Sequence, residues 1–341
     1  MKAMFIEEIG PVNKEREPLI LREVPDPKPN PGEILLEVLA CGVCHTELDE
    51  IEGRTPPSQL PRIPGHEVVG RVIDRGEEAN KFEEGTRVGV AWIFWADGDC
   101  EFCRRGEENL CESFMATGRD ANGGYAEKMT VPEAFAYPIP ETFTDVEAAP
   151  LLCAGAVGFR SLELTGLEDG QRLGLTGFGA SGHLVLQMAK HKFPDSDIYV
   201  FARNSDEREF ARELGAVWAG PTEAKAPEAL HAVIDTTPAW KPVVEALKNL
   251  IPGGRLVINA IRKEAGDKEE LLNLNYSEHL WMEREIKSVA NVTRTDVEAC
   301  LSLAAEIPLK PETQTFALEQ ANQALLELRT GKIRGAKVLK F

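Results

Sequence analysis

Sulfur and acid side chains are clustered in the segment ADGDCEFCRRGEENLC, residues 96–111. Two residues separate Cys100 from Cys103, and seven more separate Cys103 from Cys111. The same interval of two, counted back from Cys100, falls on Asp97. Zinc accepts a carboxylate oxygen at nearly the same bond length as an imidazole nitrogen, so this spacing is compatible with a zinc site of one aspartate and three cysteines. The alternative is a lobe that has lost its metal, which would leave three thiols open to oxidation.

Two more thiols and an imidazole lie in separate motifs: Cys44 in CGVCHTELD, His66 in PGHEVVG and Cys153 in APLLCAG. Singly, each has an ordinary explanation, because buried cysteines and hydrogen-bonded histidines are common in protein cores. Together they form a ligand set that leaves zinc one open coordination position. A metal with an open position can polarise an alcohol or carbonyl oxygen, so the set predicts a catalytic zinc. Cys41 and Cys300 are interpreted as packing residues.

A glycine-rich turn stands between a predicted strand and a predicted helix in RLGLTGFGASGHLVL. Gly177, Gly179 and Gly182 have the G-x-G-x-x-G spacing of dinucleotide sites. The first glycine permits a tight turn, the second lets the backbone approach a pyrophosphate, and the third lets helix and strand pack closely. The N-terminus of the helix then offers unpaired N–H groups to the phosphates. The alternative is a plain strand-to-helix turn, which the strands and helices that follow make less plausible.

The end of the next predicted strand, IYVFARNSDER, bears on the choice of cofactor. An NAD site usually places an acid about 20 residues beyond the glycine turn, where it binds the ribose 2′-hydroxyl. This chain has Ala202 followed by Arg203. A guanidinium can bind a 2′-phosphate through paired hydrogen bonds, so NADP(H) is favoured over NAD(H). In the alternative interpretation Arg203 is a solvated loop residue and Asp206 serves the ribose.

Composition excludes several classes of function. The chain carries 38 Lys and Arg against 56 Asp and Glu, a formal net charge of −18, which disfavours nucleic acid and anionic membrane partners. The first residues contain no apolar signal core, and no segment approaches the length of a membrane span. An odd number of cysteines in such a chain favours metal or catalytic roles over disulfides, and we expect a cytoplasmic protein.

The pattern of apolar residues changes along the chain and predicts two domains. These domains must position the candidate metal ligands and the glycine-rich turn. Up to about Pro140, short alternating apolar runs such as EILLEVLA, HEVVGRVID and TRVGVAWIF indicate a mostly antiparallel β domain. From about Thr144, helical patterns beginning with DVEAAPLLCAGAVGFRSLEL alternate with short apolar strands, which indicates βαβ units and a parallel sheet. After about Val292, two helices and a last strand, GAKVLKF, are expected to return to the first domain.

These motifs, in this order, resemble those of the zinc-dependent medium-chain alcohol dehydrogenases over nearly the whole chain. The segments that carry the resemblance are CGVCHTELD, PGHEVVGRV, CEFCRRGEENLCE, GGYAE, APLLCAG and GFGASG. The segment SVANVTRTDVEACLSLAAEIP is similar to the bacterial propanol-preferring type. The resemblance implies an α/β protein with a GroES-like β domain, residues 1–153 and 292–341. A Rossmann domain with a doubly wound parallel sheet, residues 154–291, would bind the dinucleotide, and the active site would lie between the two.

The resemblance also implies roles for individual residues. Cys44, His66 and Cys153 would be the ligands of the catalytic zinc, and Glu67 would be the acid that approaches the metal transiently. Asp97, Cys100, Cys103 and Cys111 would hold a second, structural zinc. Thr46 would hydrogen-bond the substrate oxygen and start a proton relay, and His45 would reach the cofactor pyrophosphate. Hydride would pass between the substrate carbon and the nicotinamide.

Three positions depart from the family pattern. Glu47 stands where relatives have the aspartate that orients the zinc-bound imidazole, and its side chain is longer by one methylene. Asp49 stands where relatives often end the proton relay at a histidine. Asp97 replaces the fourth cysteine of the structural site.

The implied substrate is a small primary alcohol or its aldehyde. Trp92, Ile93 and Trp95 of AWIFWAD offer bulky walls, of which one or two are expected in the cleft. The alternatives are an NAD(H)-dependent alcohol or polyol dehydrogenase and, in another class, a non-enzymatic zinc–thiolate sensor. Cys153 argues against a polyol enzyme, which would more often place a carboxylate in the zinc shell. The resemblance further implies a homodimer or homotetramer.

Overall fold

The structure is a computed structural model, and it describes residues 1–307, 309–331 and 335–341. In chain order the strands are β1 Lys2–Ile6, β2 Leu19–Glu23, β3 Glu33–Val43, β4 Val68–Arg75, β5 Arg87–Val90, β6 Ile93–Trp95, β7 Met115–Ala116, β8 Lys128–Pro132, β9 Ala136–Pro138, β10 Arg172–Thr176, β11 Asp197–Phe201, β12 Trp218–Gly220, β13 Leu230–Asp235, β14 Leu250–Ile258, β15 Glu285–Ser288, β16 Thr313–Ala317 and β17 Ala336–Lys340. The α-helices are α1 His45–Ile51, α2 Glu101–Arg104, α3 Asp145–Ala148, α4 Ala154–Thr165, α5 Ala180–Lys192, α6 Ser205–Glu213, α7 Lys241–Leu247, α8 Arg294–Glu306 and α9 Ala321–Arg329.

The chain divides into two compact units. The first contains residues Met1–Ala156 and Val292–Phe341, and the second contains Val157–Asn291. The last segment of the chain therefore belongs to the same unit as the first, because β17 pairs antiparallel with β3.

The first unit is built on a seven-stranded sheet in the order β16-β17-β3-β4-β5-β9, with β8 also paired to β3. The long strand β3 is its centre, and its apolar residues Ile34, Leu36 and Val38 are at most 2% exposed. Within β3 and β4, Cys41 lies opposite Val68 in antiparallel register. Residues just after β3 and just before β4 therefore emerge at the same end of the sheet, which brings positions 44 and 66 together.

The second unit contains a six-stranded parallel sheet in the order β12-β11-β10-β13-β14-β15. The apolar residues of its central strands are buried, which is typical of a sheet covered on both faces. This strand order is that of the Rossmann fold. All strands run the same way, but successive strands are added on one side of β10 up to β12 and on its other side from β13 onward. The predicted fold class, a GroES-like β domain with a Rossmann domain, is confirmed.

Local differences from the sequence prediction have physical causes. The single helical pattern expected from about Thr144 is broken into α3, a 3₁₀ turn over Ala149–Leu152 and α4. Pro150 cannot donate a helical hydrogen bond, and Cys153 then leaves helical geometry with φ −130° and ψ −74°. The apolar run TRVGVAWIF forms two strands, β5 and β6, rather than one. Among the described residues, no helix is both long and apolar enough to cross a membrane.

Candidate functional site

The thiols of Cys44 and Cys153, the imidazole of His66 and the carboxylate of Glu67 form one cluster in the first unit. Their ligand atoms all lie within 4.8 Å of one another. Cys44 is the N-cap of α1, directly after β3, and His66 precedes β4, so the sheet register brings these two together. Cys153 lies at the break between the 3₁₀ turn and α4 and is the third candidate ligand of the cluster. Cys44 Sγ lies 3.5 Å from His66 Nε2.

The donor chemistry of this cluster fits a divalent cation. The hydrogen bond that the Cys44 thiol donates to Cys153, burial and the nearby Glu47 carboxylate raise the pKa of Cys44 well above its ordinary value. Burial raises the pKa of Glu67 to about 7, against the opposing effect of His66. A buried group of two thiols and two carboxylates therefore gathers more potential negative charge than His66 can balance. Soft thiolate and imidazole donors in such a set suit zinc.

Glu47 holds the imidazole in place. Its Oε1 lies 2.6 Å from His66 Nδ1, and both side chains have no exposed area. Its Oε2 accepts a hydrogen bond of 2.8 Å from the Cys44 N–H, which completes the capping box of α1. The longer side chain thus reaches the histidine, and Nε2 is left facing the thiols. One carboxylate fixes both the first turn of the helix and the orientation of a candidate ligand.

Glu67 approaches the cluster through space left by Gly42. A Cβ atom at position 42 would lie 1.8 Å from Glu67 Oε2, so only glycine allows this carboxylate its position. Glu67 is 2% exposed, and its backbone carbonyl accepts the Gly42 N–H at 2.9 Å. The acid named from the sequence therefore lies among the candidate ligands.

The other predicted residues of α1 occupy different environments. Thr46 is 6% exposed, and its N–H donates to Cys44 Sγ at 3.3 Å. His45 is on the exposed side of the helix. Asp49 is buried, and its Oδ1 accepts a hydrogen bond of 2.6 Å from Arg54 Nε. The carboxylate expected at the end of a relay is therefore engaged by a guanidinium, a pairing with Arg54 that sequence reasoning missed.

Asp97, Cys100, Cys103 and Cys111 form a second cluster, with their ligand atoms within 4.8 Å of one another. Asp97 Oδ1 accepts the N–H groups of Asp99 at 2.8 Å and Cys100 at 2.9 Å, which lower the pKa of Asp97. Its Oδ2 accepts from Cys111 Sγ at 3.3 Å. The aspartate found by counting back from Cys100 therefore faces the three thiols, and this donor set fits zinc.

An ion pair ties this second cluster to a distant helix. Glu108 is 5% exposed, and its Oε1 accepts from the backbone N–H of Arg294 at 3.1 Å and from its Nε at 2.8 Å. The Arg294 guanidinium also lies 4.9 Å from the centre of the Phe135 ring. These contacts connect the lobe to the start of α8, and the separation of 186 residues left no local signal for them.

The glycine-rich turn of the second unit has the geometry of a phosphate site. Gly177 has φ +78°, and a Cβ at Gly182 would lie 2.8 Å from Gly177 O. Gly179 is the N-cap of α5, and as a glycine it has no side chain that could cap the helix. Nothing lies within 4 Å of a Cβ built at this position. The first N–H groups of α5 are therefore available to an anion.

The turn after β11 presents Arg203 to solvent. Ala202 is buried, whereas Arg203 is exposed. Arg208 braces this turn from α6, since its guanidinium donates to the carbonyls of Ala202 at 2.7 Å and Arg203 at 2.8 Å. Glu207, the residue after Asp206, reaches the glycine-rich turn through a hydrogen bond with the backbone of Phe178. Burial raises the pKa of Glu207, and Arg203 and the backbone N–H of Phe178 oppose that rise.

The side chains of the segment AWIFWAD, which was predicted to line the substrate site, differ widely in their exposed fraction. Ile93 is fully buried, Trp92 is 9% exposed and Trp95 is 43% exposed. The Trp92 ring packs 5.0 Å from that of Phe114, and the Arg119 guanidinium lies 5.2 Å from it. Ile93 and Trp92 are therefore packed in the interior, and Trp95 is the exposed member of the segment.

Comparison with known proteins agrees with this geometry. Residues 30–141 match the family of the alcohol dehydrogenase GroES-like domain. The chain is similar to a probable alcohol dehydrogenase AdhA of Mycobacterium tuberculosis, with 44% identity over 92% of this chain and 90% of that protein. An alcohol dehydrogenase of Geobacillus stearothermophilus is 32% identical over 97% of this chain and 98% of its own length.

Among solved structures, the chain resembles the cobalt- and zinc-bound thermostable alcohol dehydrogenase of Pyrobaculum aerophilum. The TM-score is 0.85 at 25% identity, and the match covers 100% of this chain and 99% of that one. The predicted family and the predicted enzyme class are thus confirmed, and neither the polyol enzyme nor the non-enzymatic sensor is favoured. The chain belongs to the zinc-dependent medium-chain alcohol dehydrogenases and is an NAD(P)-dependent oxidoreductase.

Proposed function

We propose that this enzyme interconverts small primary alcohols and aldehydes at a zinc held by Cys44, His66 and Cys153, with NADP(H) as the hydride carrier. The observation that carries the assignment of the site is the buried cluster in which Glu47 holds His66 Nδ1 at 2.6 Å and leaves Nε2 facing two thiols. Three protein ligands of this kind leave zinc one position for a substrate oxygen.

Within this site the protein groups divide the work. Bound zinc would polarise the substrate oxygen and lower the pKa of an alcohol. The Thr46 hydroxyl would hydrogen-bond that oxygen and accept its proton, since Thr46 occupies the first turn of α1 beside Cys44. Glu67, with a pKa of about 7 because of its burial, can hold or release a proton next to the ligands. His45, on the exposed side of α1, would contact the cofactor pyrophosphate.

The fate of the proton differs from that in a relay that ends at histidine. Asp49 is bonded to Arg54, whose side chain is 26% exposed. We therefore propose that Asp49 orients Arg54 and the end of α1, and that protons leave the Thr46 hydroxyl through water rather than through the Asp49 carboxylate.

The preference for NADP(H) rests on Arg203. Its exposed guanidinium follows a buried alanine at the position where an acid would repel a 2′-phosphate. Arg208 fixes the backbone at this point and does not compete for the phosphate, since it donates to carbonyl oxygens. Glu207 is the residue that could instead serve a ribose hydroxyl, so NAD(H) remains the alternative cofactor.

We propose a second zinc, held by Asp97, Cys100, Cys103 and Cys111, with a structural role. A closed set of four protein ligands leaves no position for substrate. The lobe it would brace is already linked to α8 by the Glu108–Arg294 contact. A reducing, cytoplasmic compartment would keep the thiols of both clusters available for metal.

We also propose that two copies pair through β15. This strand lies at the edge of the six-stranded sheet, and all four of its residues are exposed. Large apolar side chains are exposed in and before it, namely Leu272, Tyr276, Trp281, Met282 and Ile286. An unpaired edge with apolar neighbours favours self-association, and a two-fold axis would pair the edge with its own copy.

The test of the proposed function is a steady-state assay of 1-propanol oxidation and propanal reduction with each cofactor. We expect activity that a strong chelator abolishes and zinc restores, with kcat/KM larger for NADP(H) than for NAD(H). Activity that survives complete removal of zinc would refute the proposed site. A larger kcat/KM with NAD(H) would refute only the choice of cofactor.

A further inference from the structure

A buried ion pair, Lys263 with Asp235, lies beside the glycine-rich turn and belongs to no motif of the sequence. The side chains are 6% and 0% exposed, respectively. Lys263 Nζ donates to Asp235 Oδ2, to the carbonyl of Thr237 at 2.7 Å and to the carbonyl of Ala239 at 3.0 Å. All three protons of the ammonium therefore have acceptors, and two of those acceptors are backbone oxygens.

The other oxygen of Asp235 is also fully used. Oδ1 accepts hydrogen bonds from Thr176 Oγ1 and from Thr237 Oγ1, the latter at 2.8 Å. Thr176 and Asp235 are the last residues of β10 and β13 and lie opposite each other in the sheet. The pair thus lies at the carboxyl ends of the strands between which the strand order reverses, where ligands bind in sheets of this type.

Lys263 is part of a longer set of contacts made by residues 259–267. The Asn259 N–H donates to Asp235 O at 2.8 Å, and the Glu264 N–H donates to Pro238 O at 2.7 Å. The Asp267 carboxylate accepts the N–H groups of Trp240 and Lys241, each at 2.9 Å, at the start of α7. Residues 259–267 therefore make hydrogen bonds to the backbone of most residues between 235 and 241.

The segment held in this way packs against Gly177. A Cβ at Gly177 would lie 2.8 Å from Thr236 Oγ1 and 2.9 Å from Thr237 Cγ2. The N–H and hydroxyl of Thr236 both donate to Thr176 O, at 3.0 and 2.9 Å. The position of the glycine turn is therefore set on one side by the segment that Lys263 anchors.

We propose that Lys263 and Asp235 are positioning residues for the dinucleotide: by anchoring residues 236–239 they hold the Gly177 turn in the conformation that receives the pyrophosphate. This inference rests on the proposed dinucleotide site at that turn. A buried ion pair adds little stability over a well-packed apolar pair. An apolar side chain at position 263, however, could not hold the two carbonyls of Thr237 and Ala239, which gives the pair a role beyond packing.

The test is a fluorescence titration of purified, zinc-loaded enzyme with NADPH and with NADH. The variants are Lys263→Met and the double variant Lys263→Met/Asp235→Asn. The double variant buries no unpaired charge, so it decides the question if the single variant does not fold. Lys337→Met is the matched control, because the Lys337 side chain is similarly buried, with 3% exposed, and is ion-paired with Glu327, but lies in the first unit.

We expect both Lys263 variants to raise the dissociation constants of NADPH and NADH alike by about tenfold, an effect of the size seen for substitutions that alter a site without contacting its ligand. Their zinc content should be unchanged. The control should lose thermal stability and keep its cofactor affinity. A folded Lys263 variant with wild-type affinity for both cofactors would overturn the proposal, and so would recovery of wild-type affinity in the double variant. Gly179→Asp tests the dinucleotide site separately from the role of Lys263. If this variant binds both cofactors normally, the dinucleotide site itself is wrongly placed.

Discussion

Glu47 Oε1 lies 2.6 Å from His66 Nδ1 in a part of the molecule from which solvent is excluded. The same carboxylate accepts the N–H of Cys44, so it fixes two candidate zinc ligands at once. The family resemblance implies a shorter acid, aspartate, at this position, and the capping geometry of α1 shows how the longer glutamate is accommodated. The extra methylene lets the side chain fold back on its own helix terminus while still reaching the histidine.

Removing this carboxylate should loosen the catalytic metal. In Glu47→Ala we expect zinc to leave the Cys44 cluster about 10–100-fold more readily, the range observed when a residue that orients a ligand is lost. Zinc release to a colorimetric chelator measures the effect. Glu50→Gln is the matched control, since Glu50 is equally buried in the same helix. Equal zinc release from Glu47→Ala and the control would show that Glu47 does not orient the ligand.

Glu50 itself should make stability depend on pH. Both of its carboxylate oxygens are buried without a hydrogen-bond partner among the described residues, and burial, together with Glu47, raises its pKa well above the ordinary value of 4.5. Above that ordinary value the unfolded state releases a proton that the folded state still binds. Stability from this residue is therefore present at acid pH and is lost as the pH rises.

Glu50→Gln should accordingly stabilise the enzyme at pH 8 by about 1–3 kcal/mol, because the neutral amide removes the cost of burying a carboxyl that the unfolded state would ionise, and change little near pH 4.5. Urea unfolding at the two pH values measures this difference. A variant that is less stable than wild type at pH 8 would mean that the Glu50 carboxylate has a favourable partner.

The second cluster predicts a graded response to substitution at position 97. Asp97→Ala should remove one zinc per chain, whereas Asp97→Cys should retain it more tightly, because a fourth thiolate completes the site. Elemental analysis after dialysis against a mild chelator gives the stoichiometry. Asp99→Ala is the control, since the Asp99 side chain is 87% exposed and pairs with Arg104 instead. Unchanged zinc content in Asp97→Ala would remove Asp97 from the ligand set.

Arg203 should discriminate between the two cofactors. In Arg203→Ala the dissociation constant of NADPH should rise about tenfold or more, because a charge-assisted, paired hydrogen bond to the 2′-phosphate is lost. That of NADH should stay within about twofold. Equal weakening of both cofactors would place Arg203 outside the 2′-phosphate site. This pattern also differs from that of the Lys263 variants, which should weaken both cofactors.

The edge of the parallel sheet predicts the oligomeric state. Ile286→Lys should disrupt pairing through β15, because a charge would be buried against its own copy, and sedimentation velocity should then show a smaller species. Val217→Lys is the control: Val217 is 56% exposed and immediately precedes β12, the opposite edge of the same sheet. A smaller species only in the control would move the interface to β12.

Much of the site was predictable because its signals are local. The spacing of Cys100, Cys103 and Cys111 led to Asp97, and the glycine pattern located the turn before α5. The strands that carry these motifs were visible as apolar runs, and the confirmed fold follows from their alternation with helices. The break of the helix before Cys153 was missed, because the apolar pattern there continues through Pro150.

The ion pairs that support the site were not predictable. Glu108 and Arg294 are separated by 186 residues, and Lys263 and Asp235 by 28. With 56 acidic side chains in the chain, sequence alone offers no reason to choose one partner over another. Such pairs are selected by packing, which places a few charges where water cannot reach them. The presence of Glu47 where the resemblance implies aspartate is of the same kind, because its consequence depends on the backbone that carries it.

The most direct test of the central claim is zinc per chain, measured together with NADP-linked 1-propanol oxidation, in wild-type enzyme and in Cys153→Ala. We predict two zinc atoms and activity in the wild type. The variant should hold one zinc, lack activity and still bind NADPH, since the proposed dinucleotide site lies in the other unit. A Cys153→Ala protein that keeps two zinc atoms and full activity would contradict this account, as would a folded, active wild type without zinc.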